Sequence, residues 1–273
     1  MKIGIIGCGN MGQAILERLR AEHEVWVFDK DKNKTKELKG VKLASNNADL
    51  TQKNEVIIFA VKPQDFDWVL REIKGKVQDK LIISIAAGIS AAHIEKALGA
   101  VRVIRVMPNI AARIGESVSC LAKGANASES DLELAGQLFY SLGTVRVVEE
   151  KMMNAVTAIS GSGPGYVFDF MAQESINPQN FPQHLRHELM MRLERAARSI
   201  GFNHEDAAFL AANTVNSSIN LIQKLNSPAG ELAQQVASKG GTTEAGLEVL
   251  HKGGTWEEAA QAALRRAEKL ARG

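Results

Sequence analysis

Two cysteines in 273 residues, Cys8 and Cys120, are too few and too far apart in sequence for a disulfide-held scaffold, and they suit a reducing compartment. Charge of one sign is equally scarce. Lys and Arg number 33 against 31 Asp and Glu, and the two signs are interspersed, which speaks against a basic nucleic-acid groove. Long apolar runs are missing as well. MKIGIIG is too short and too soon interrupted by glycine for a signal-peptide core, and VIIFAV, Val56 to Val61, falls far short of the ~20 residues a membrane span needs. From these absences we expect a soluble cytoplasmic protein with neither nucleic acid nor membrane as partner.

What the chain does have is 45% hydrophobic residues, enough to bury a substantial core. In its first part IGIIG, EVWVFD, EVIIFAV, KLIISIAAG and VRVIRVM alternate with polar helical stretches. Each run is apolar enough for a strand covered on both faces, so the alternation predicts an α/β, Rossmann-type doubly wound sheet. After Lys151 the pattern turns to alanine-rich helical periodicity, clearest at Ala207 to Leu225 and Thr255 to Ala271. The expected organisation is a dinucleotide-binding domain over 1–150 and an all-helical domain over 151–273, binding substrate and forming a dimer.

GCGNMG, Gly7 to Gly12, sits between a predicted strand and a predicted helix, the context that the G-x-G-x-x-G fingerprint requires. Gly7 would make the tight turn, Gly9 would let backbone approach a pyrophosphate, and Gly12 would let the helix pack close to the sheet. The reading without a ligand is a bare strand-to-helix turn. Asp29 closes the second strand, about 20 residues on, where a carboxylate accepts from the ribose hydroxyls of NAD. Against a 2′-phosphate it would repel by roughly 4 to 5 kcal/mol at ~6 Å, yet Lys30, Lys32 and Lys34 follow and offset a comparable amount. The lysines also read as a solvated helix face, so NADH and NADPH both stay open.

Further landmarks are AVKP (Ala60 to Pro63), AAG (Ala86 to Gly88), MPN (Met107 to Asn109), SGSGPGYVF (Ser160 to Phe168) and SKGGTTEAGL (Ser238 to Leu247). In order and spacing, over nearly the whole chain, this set resembles pyrroline-5-carboxylate reductase. The resemblance implies NAD(P)H-dependent reduction of a cyclic imine, Δ1-pyrroline-5-carboxylate, to L-proline, by a homodimer or a larger assembly of dimers. It implies a pyrophosphate loop at Gly7, Gly9, Asn10, Met11 and Gly12, with Asp29, Lys30 and Asn47 at the adenosine ribose. Ala60, Val61, Lys62, Pro63 and Ala87 would line the cofactor toward its nicotinamide, with Met107 and Asn109 in the matching MPN motif. Ser238, Gly240, Gly241 and Thr242 would receive the substrate carboxylate, since consecutive N–H groups before a helix make an anion cradle. Thr243 matches the threonine whose hydroxyl approaches the ring nitrogen. No metal is implied.

The chain also departs from that family. Lys239 stands where proline is usual, which loosens a fixed φ and adds a cation. Ile110 and Ala111 replace a Thr-Pro pair. After Phe170 about twenty extra residues around AQESINPQNFPQHLRHELMM intervene, and Pro178 and Pro182 should break the helix there. The insertion reads either as a surface excursion or as a change in association. Its HLRHE, His184 to Glu188, matches no zinc-binding order and reads as solvated polar residues. A β-hydroxyacid dehydrogenase is disfavoured because GYVFDFMAQES, Gly165 to Ser175, has no lysine for that chemistry. A related cyclic imine as substrate and a non-catalytic dinucleotide sensor remain as alternatives.

Overall fold

The computed structural model describes residues 1–271. Strands β1 (Lys2–Ile6), β2 (Glu24–Phe28), β3 (Lys42–Leu43), β4 (Val56–Phe59), β5 (Leu81–Ser84), β6 (Arg102–Met107), β7 (Ser117–Lys123) and β8 (Gly143–Val147) form one sheet in the order β3-β2-β1-β4-β5-β6-β7-β8. The pairs from β3 through β6 are parallel, and β4 and β5 are buried along their whole length, as runs without polar alternation require. Helices α1 (Asn10–Leu19), α2 (Asn47–Lys53), α3 (Pro63–Ile73), α4 (Ala91–Leu98) and α5 (Glu129–Tyr140) connect them. Ile6, Ile57, Phe59, Phe66, Leu70 and Ile82 join strands and helices in one buried cluster.

From β1 the chain runs outward to β2 and β3, then returns to the other side of β1 as β4. The order therefore reverses between β1 and β4, and a ligand crevice is expected beyond their carboxyl ends.

Every described element after β8 is helical: α6 (Met153–Val156), a π turn at Thr157–Gly161, then α7 (Gly163–Gln173), α8 (Gln183–Ser199), α9 (His204–Leu225), α10 (Ala229–Val236), α11 (Thr242–Leu250) and α12 (Trp256–Ala271), with short 3-10 turns. The chain divides into two compact units. Met1–Val106 and Cys120–Glu150 form the first, and Met107–Ser119 joins the residues from Lys151 onward in the second. The segment 107–119, placed in the first domain by the sequence, thus belongs with the helices. Its Glu116 accepts from Asn220 and Lys224 of α9, at 2.7 Å each, and its Arg113 donates to Gln235 of α10.

The inserted segment is an integral part of the helical unit rather than a loose surface excursion. The chain leaves α7 at Gln173, turns through Pro178–Asn180, and enters α8 with Pro182 at the cap. On α8 Leu189 and Leu193 are fully buried, Arg186 donates to Asn216 of α9 at 2.8 Å, and Gln223 of α9 donates to the Pro178 carbonyl. His184 and His187 lie exposed on α8.

Candidate active site

In the first unit, a cleft of about 390 Å³ opens at the switch point, lined by Gly7, Gly9, Phe28, Asp29, Lys30, Lys34, Asn47, Ala60, Val61, Lys62 and residues of the first turns of α3. The three glycines have distinct physical duties. Gly7 has φ +101°, and a Cβ there would lie 2.6 Å from the Ala60 carbonyl oxygen. A Cβ at Gly12 would collide with the Gly7 carbonyl oxygen, so that glycine sets how closely α1 approaches the turn. At Gly9 a Cβ would meet nothing within 4 Å. The space there is open toward the cleft, as close approach by a ligand requires, and Gly9 caps α1, whose first N–H groups have no acceptor within the helix.

Asp29 is buried and turned onto the glycine loop. One carboxylate oxygen accepts from the Cys8 N–H at 2.7 Å, the other from the Asp31 N–H at 2.9 Å, and Lys34 Nζ stands 3.7 Å away. Its first duty is to hold the fingerprint loop against β2, which differs from the free ribose acceptor expected from the sequence. Lys30 pairs with Asp65 at 2.6 Å on the cleft wall. Asn47 is buried with its Nδ2 donating to Glu72, while its Oδ1 lacks a hydrogen-bond partner among the described residues. Burial, and next the Asp29 carboxylate, push the Cys8 thiol up to about 12 against a smaller opposing pull from Lys34, so Cys8 is a neutral packing residue.

Eight of the expected cofactor residues thus line one cleft. Asn10, Met11, Gly12, Pro63 and Ala87 do not line it, and Met107 and Asn109 belong to the second unit. Gln64, Asp65 and Trp68 line it without having been singled out; the signal available was Pro63, a favoured first helical residue, which starts a helix directly after a strand end.

In the second unit, Asn109 is buried and accepts the N–H groups of Ala111 and Val118 on its Oδ1, leaving Nδ2 without a partner among the described residues. The SGSGP motif straddles the junction, with Ser160 and Gly161 closing the π turn, a local widening common at functional sites, and Gly163 and Pro164 opening α7. There Ser160 donates to the Val118 carbonyl, and the Ser162 hydroxyl lies 3.0 Å from that of Thr242 at the start of α11. The neighbouring Thr243 is buried against Gly165, where a Cβ would come within 2.5 Å of its methyl carbon.

The Ser238–Gly241 loop is a tight turn, with the Gly241 N–H donating to the Ser238 carbonyl at 2.8 Å and Gly240 at φ +69°. The Gly240 N–H donates to the Glu244 carboxylate at 2.5 Å. Two donors expected to receive a substrate carboxylate are therefore engaged within the chain. The donors with no acceptor in the helix are those of Thr242, Thr243 and Glu244, since the first bond within α11 runs from the Ala245 N–H to the Gly241 carbonyl. Glu244 carried no capping-box signal, because glycine stands at position 241 where that pattern needs Ser or Thr.

Residues 2–88 match the family described as NADP oxidoreductase coenzyme F420-dependent, and residues 187–272 match pyrroline-5-carboxylate reductase dimerisation. The chain is 33% identical to a pyrroline-5-carboxylate reductase of Methanosarcina acetivorans over 98% of its own length and 96% of the relative's. The chain belongs to the pyrroline-5-carboxylate reductase family. The Arabidopsis thaliana reductase is 32% identical across 98% of this chain and 95% of its own. Among solved structures, the Plasmodium falciparum pyrroline carboxylate reductase with NADP bound superimposes with a TM-score of 0.65 at 26% identity, covering 99% of this chain and 98% of that one. The Coxiella burnetii reductase gives 0.65 at 28% identity, with 99% and 98% covered. Lys239 and the segment between α7 and α8 are thus features of a reductase-family chain.

Proposed function

We propose that this protein reduces Δ1-pyrroline-5-carboxylate to L-proline with NAD(P)H, and that the helical unit pairs two copies into a homodimer. The observation that carries the reading is the start of α11: the N–H groups of Thr242 and Thr243, with no acceptor inside the helix, and the buried residue Thr243, set behind a glycine turn. A carboxylate placed there accepts both N–H groups, at roughly 1.5 to 3 kcal/mol per charge-assisted bond, and the helix N-terminus favours its charge. The Thr243 hydroxyl then orients the ring nitrogen of the imine. A protonated imine is already electrophilic, so the chain needs to align and desolvate the reactants and supplies no strong acid.

The nicotinamide supplies the hydride when the dinucleotide is bound. The residues present fit that group: the approach over Gly9 is open, and Asn47 Oδ1 is a buried acceptor without a partner among the described residues. Lys34, 3.7 Å from the Asp29 carboxylate, offsets the charge that would repel a 2′-phosphate, and on that ground we take NADPH as the preferred donor.

Thr243→Ala tests the substrate half. Turnover of the imine should fall at least tenfold while the Kd for NADPH, measured by fluorescence titration, stays within about twofold. Unchanged steady-state kinetics would remove Thr243 from the site.

A further inference from the structure

The residue at position 239 is the second of four in the Ser238–Gly241 turn. With the third residue, Gly240, at φ +69° and a bond closing from Gly241 N–H to Ser238 O, this is the geometry of a type II turn. Proline is the favoured second residue of such a turn because its ring fixes φ in advance. Here the position is an exposed lysine, whose φ is not fixed by a ring. The turn is held instead from outside, at the single residue Gly240. Arg266 of α12 donates its Nε–H to the Gly240 carbonyl at 2.6 Å, and Glu244 of α11 accepts the Gly240 N–H at 2.5 Å. A guanidinium and a carboxylate from two helices thus grip both polar groups of one glycine. The same guanidinium passes 3.2 Å from where a Gly240 Cβ would sit, a tight approach that adds to the preference for glycine already set by φ +69°.

We propose that Arg266 is the positioning residue of the substrate loop, acting with Glu244 to hold the turn that a proline at 239 would hold covalently. The proposal rests on the reading of α11 as the carboxylate site. Gly241, the last residue of the turn, is the cap of α11, so the turn's conformation sets where the N–H groups of Thr242 and Thr243 point. Arg266 touches neither reactant in this scheme. Its positive charge also offsets the Glu244 carboxylate, which would otherwise oppose an incoming anion.

The test is a double-mutant cycle on the full-length protein, with Δ1-pyrroline-5-carboxylate and NADPH, over Arg266→Ala, Lys239→Pro and the pair. Arg266→Ala alone should raise KM for the imine about tenfold, leave kcat within about threefold, and leave the Kd for NADPH within about twofold. Lys239→Pro alone should keep KM within about twofold. In the Lys239→Pro background the Arg266→Ala effect should shrink to threefold or less, because the ring now fixes the turn. Equal effects of Arg266→Ala in both backgrounds, or no effect in either, would overturn the proposal. Should Arg266→Ala fail to fold, Lys239→Pro still decides: a large rise in KM would contradict the turn geometry on which the proposal stands. A wild-type protein that never turns over the imine would instead overturn the functional reading itself.

Discussion

Two glycines two positions apart, Gly7 and Gly9, separate folding from binding at the scale of single residues. A methyl added at Gly7 meets the Ala60 carbonyl at 2.6 Å and must adopt φ +101°, whereas the same methyl at Gly9 projects into open space at φ −72°. Gly7→Ala should therefore cost about 2 kcal/mol or more of stability. Gly9→Ala should change stability by less than about 1 kcal/mol yet raise the Kd for NADPH about tenfold, because the methyl occupies the space a pyrophosphate needs. Urea denaturation and cofactor titration on both variants check this; a Gly9→Ala protein with unaltered affinity would show that the dinucleotide does not pass over that residue. The glycine spacing was legible in the sequence because only glycine can do these tasks. The inward turn of Asp29 was not, since it depends on the Cys8 N–H 21 positions away being presented by the folded loop. Nor was Arg266, 26 residues from its carbonyl partner and placed only by how α12 returns along the helical unit.

Among the elements, the strands with continuous apolar runs announced themselves and the others did not. β7, SVSCLAK, lacks a continuous apolar run because Ser117 and Ser119 interrupt it, yet both are buried with their hydroxyls 3.2 Å apart. β3 is two exposed residues at the sheet edge and carries no pattern to find. The prolines after α7 marked the break in that helix, but sequence left the inserted segment's packing undecided. In the structure Leu189 of α8 is fully buried in the helical unit, while Met191 two residues on is exposed. Leu189→Ala should cost about 2 to 5 kcal/mol and Met191→Ala under about 0.5 kcal/mol, measured by thermal or urea unfolding. Equal, small effects would mean that the segment is a dispensable excursion after all.

At the scale of the whole molecule, one unit carries the switch-point cleft and the other carries the start of α11 that we propose as the carboxylate site. The compositional shift near Lys151 was visible, but the passage of 107–119 into the second unit was not. It is fixed by Glu116 meeting α9 more than 100 residues later, a separation that local pattern cannot register. Family membership at 33% identity across 98% of the chain agrees with the proposed reaction. The measurement that tests the account most directly is the decay of cofactor absorbance when the purified protein meets Δ1-pyrroline-5-carboxylate, with NADPH and NADH in parallel and proline assayed as product. The account predicts oxidation matched mole for mole by proline, with higher kcat/KM for NADPH. Demonstrated binding of either cofactor with no oxidation and no proline would contradict it.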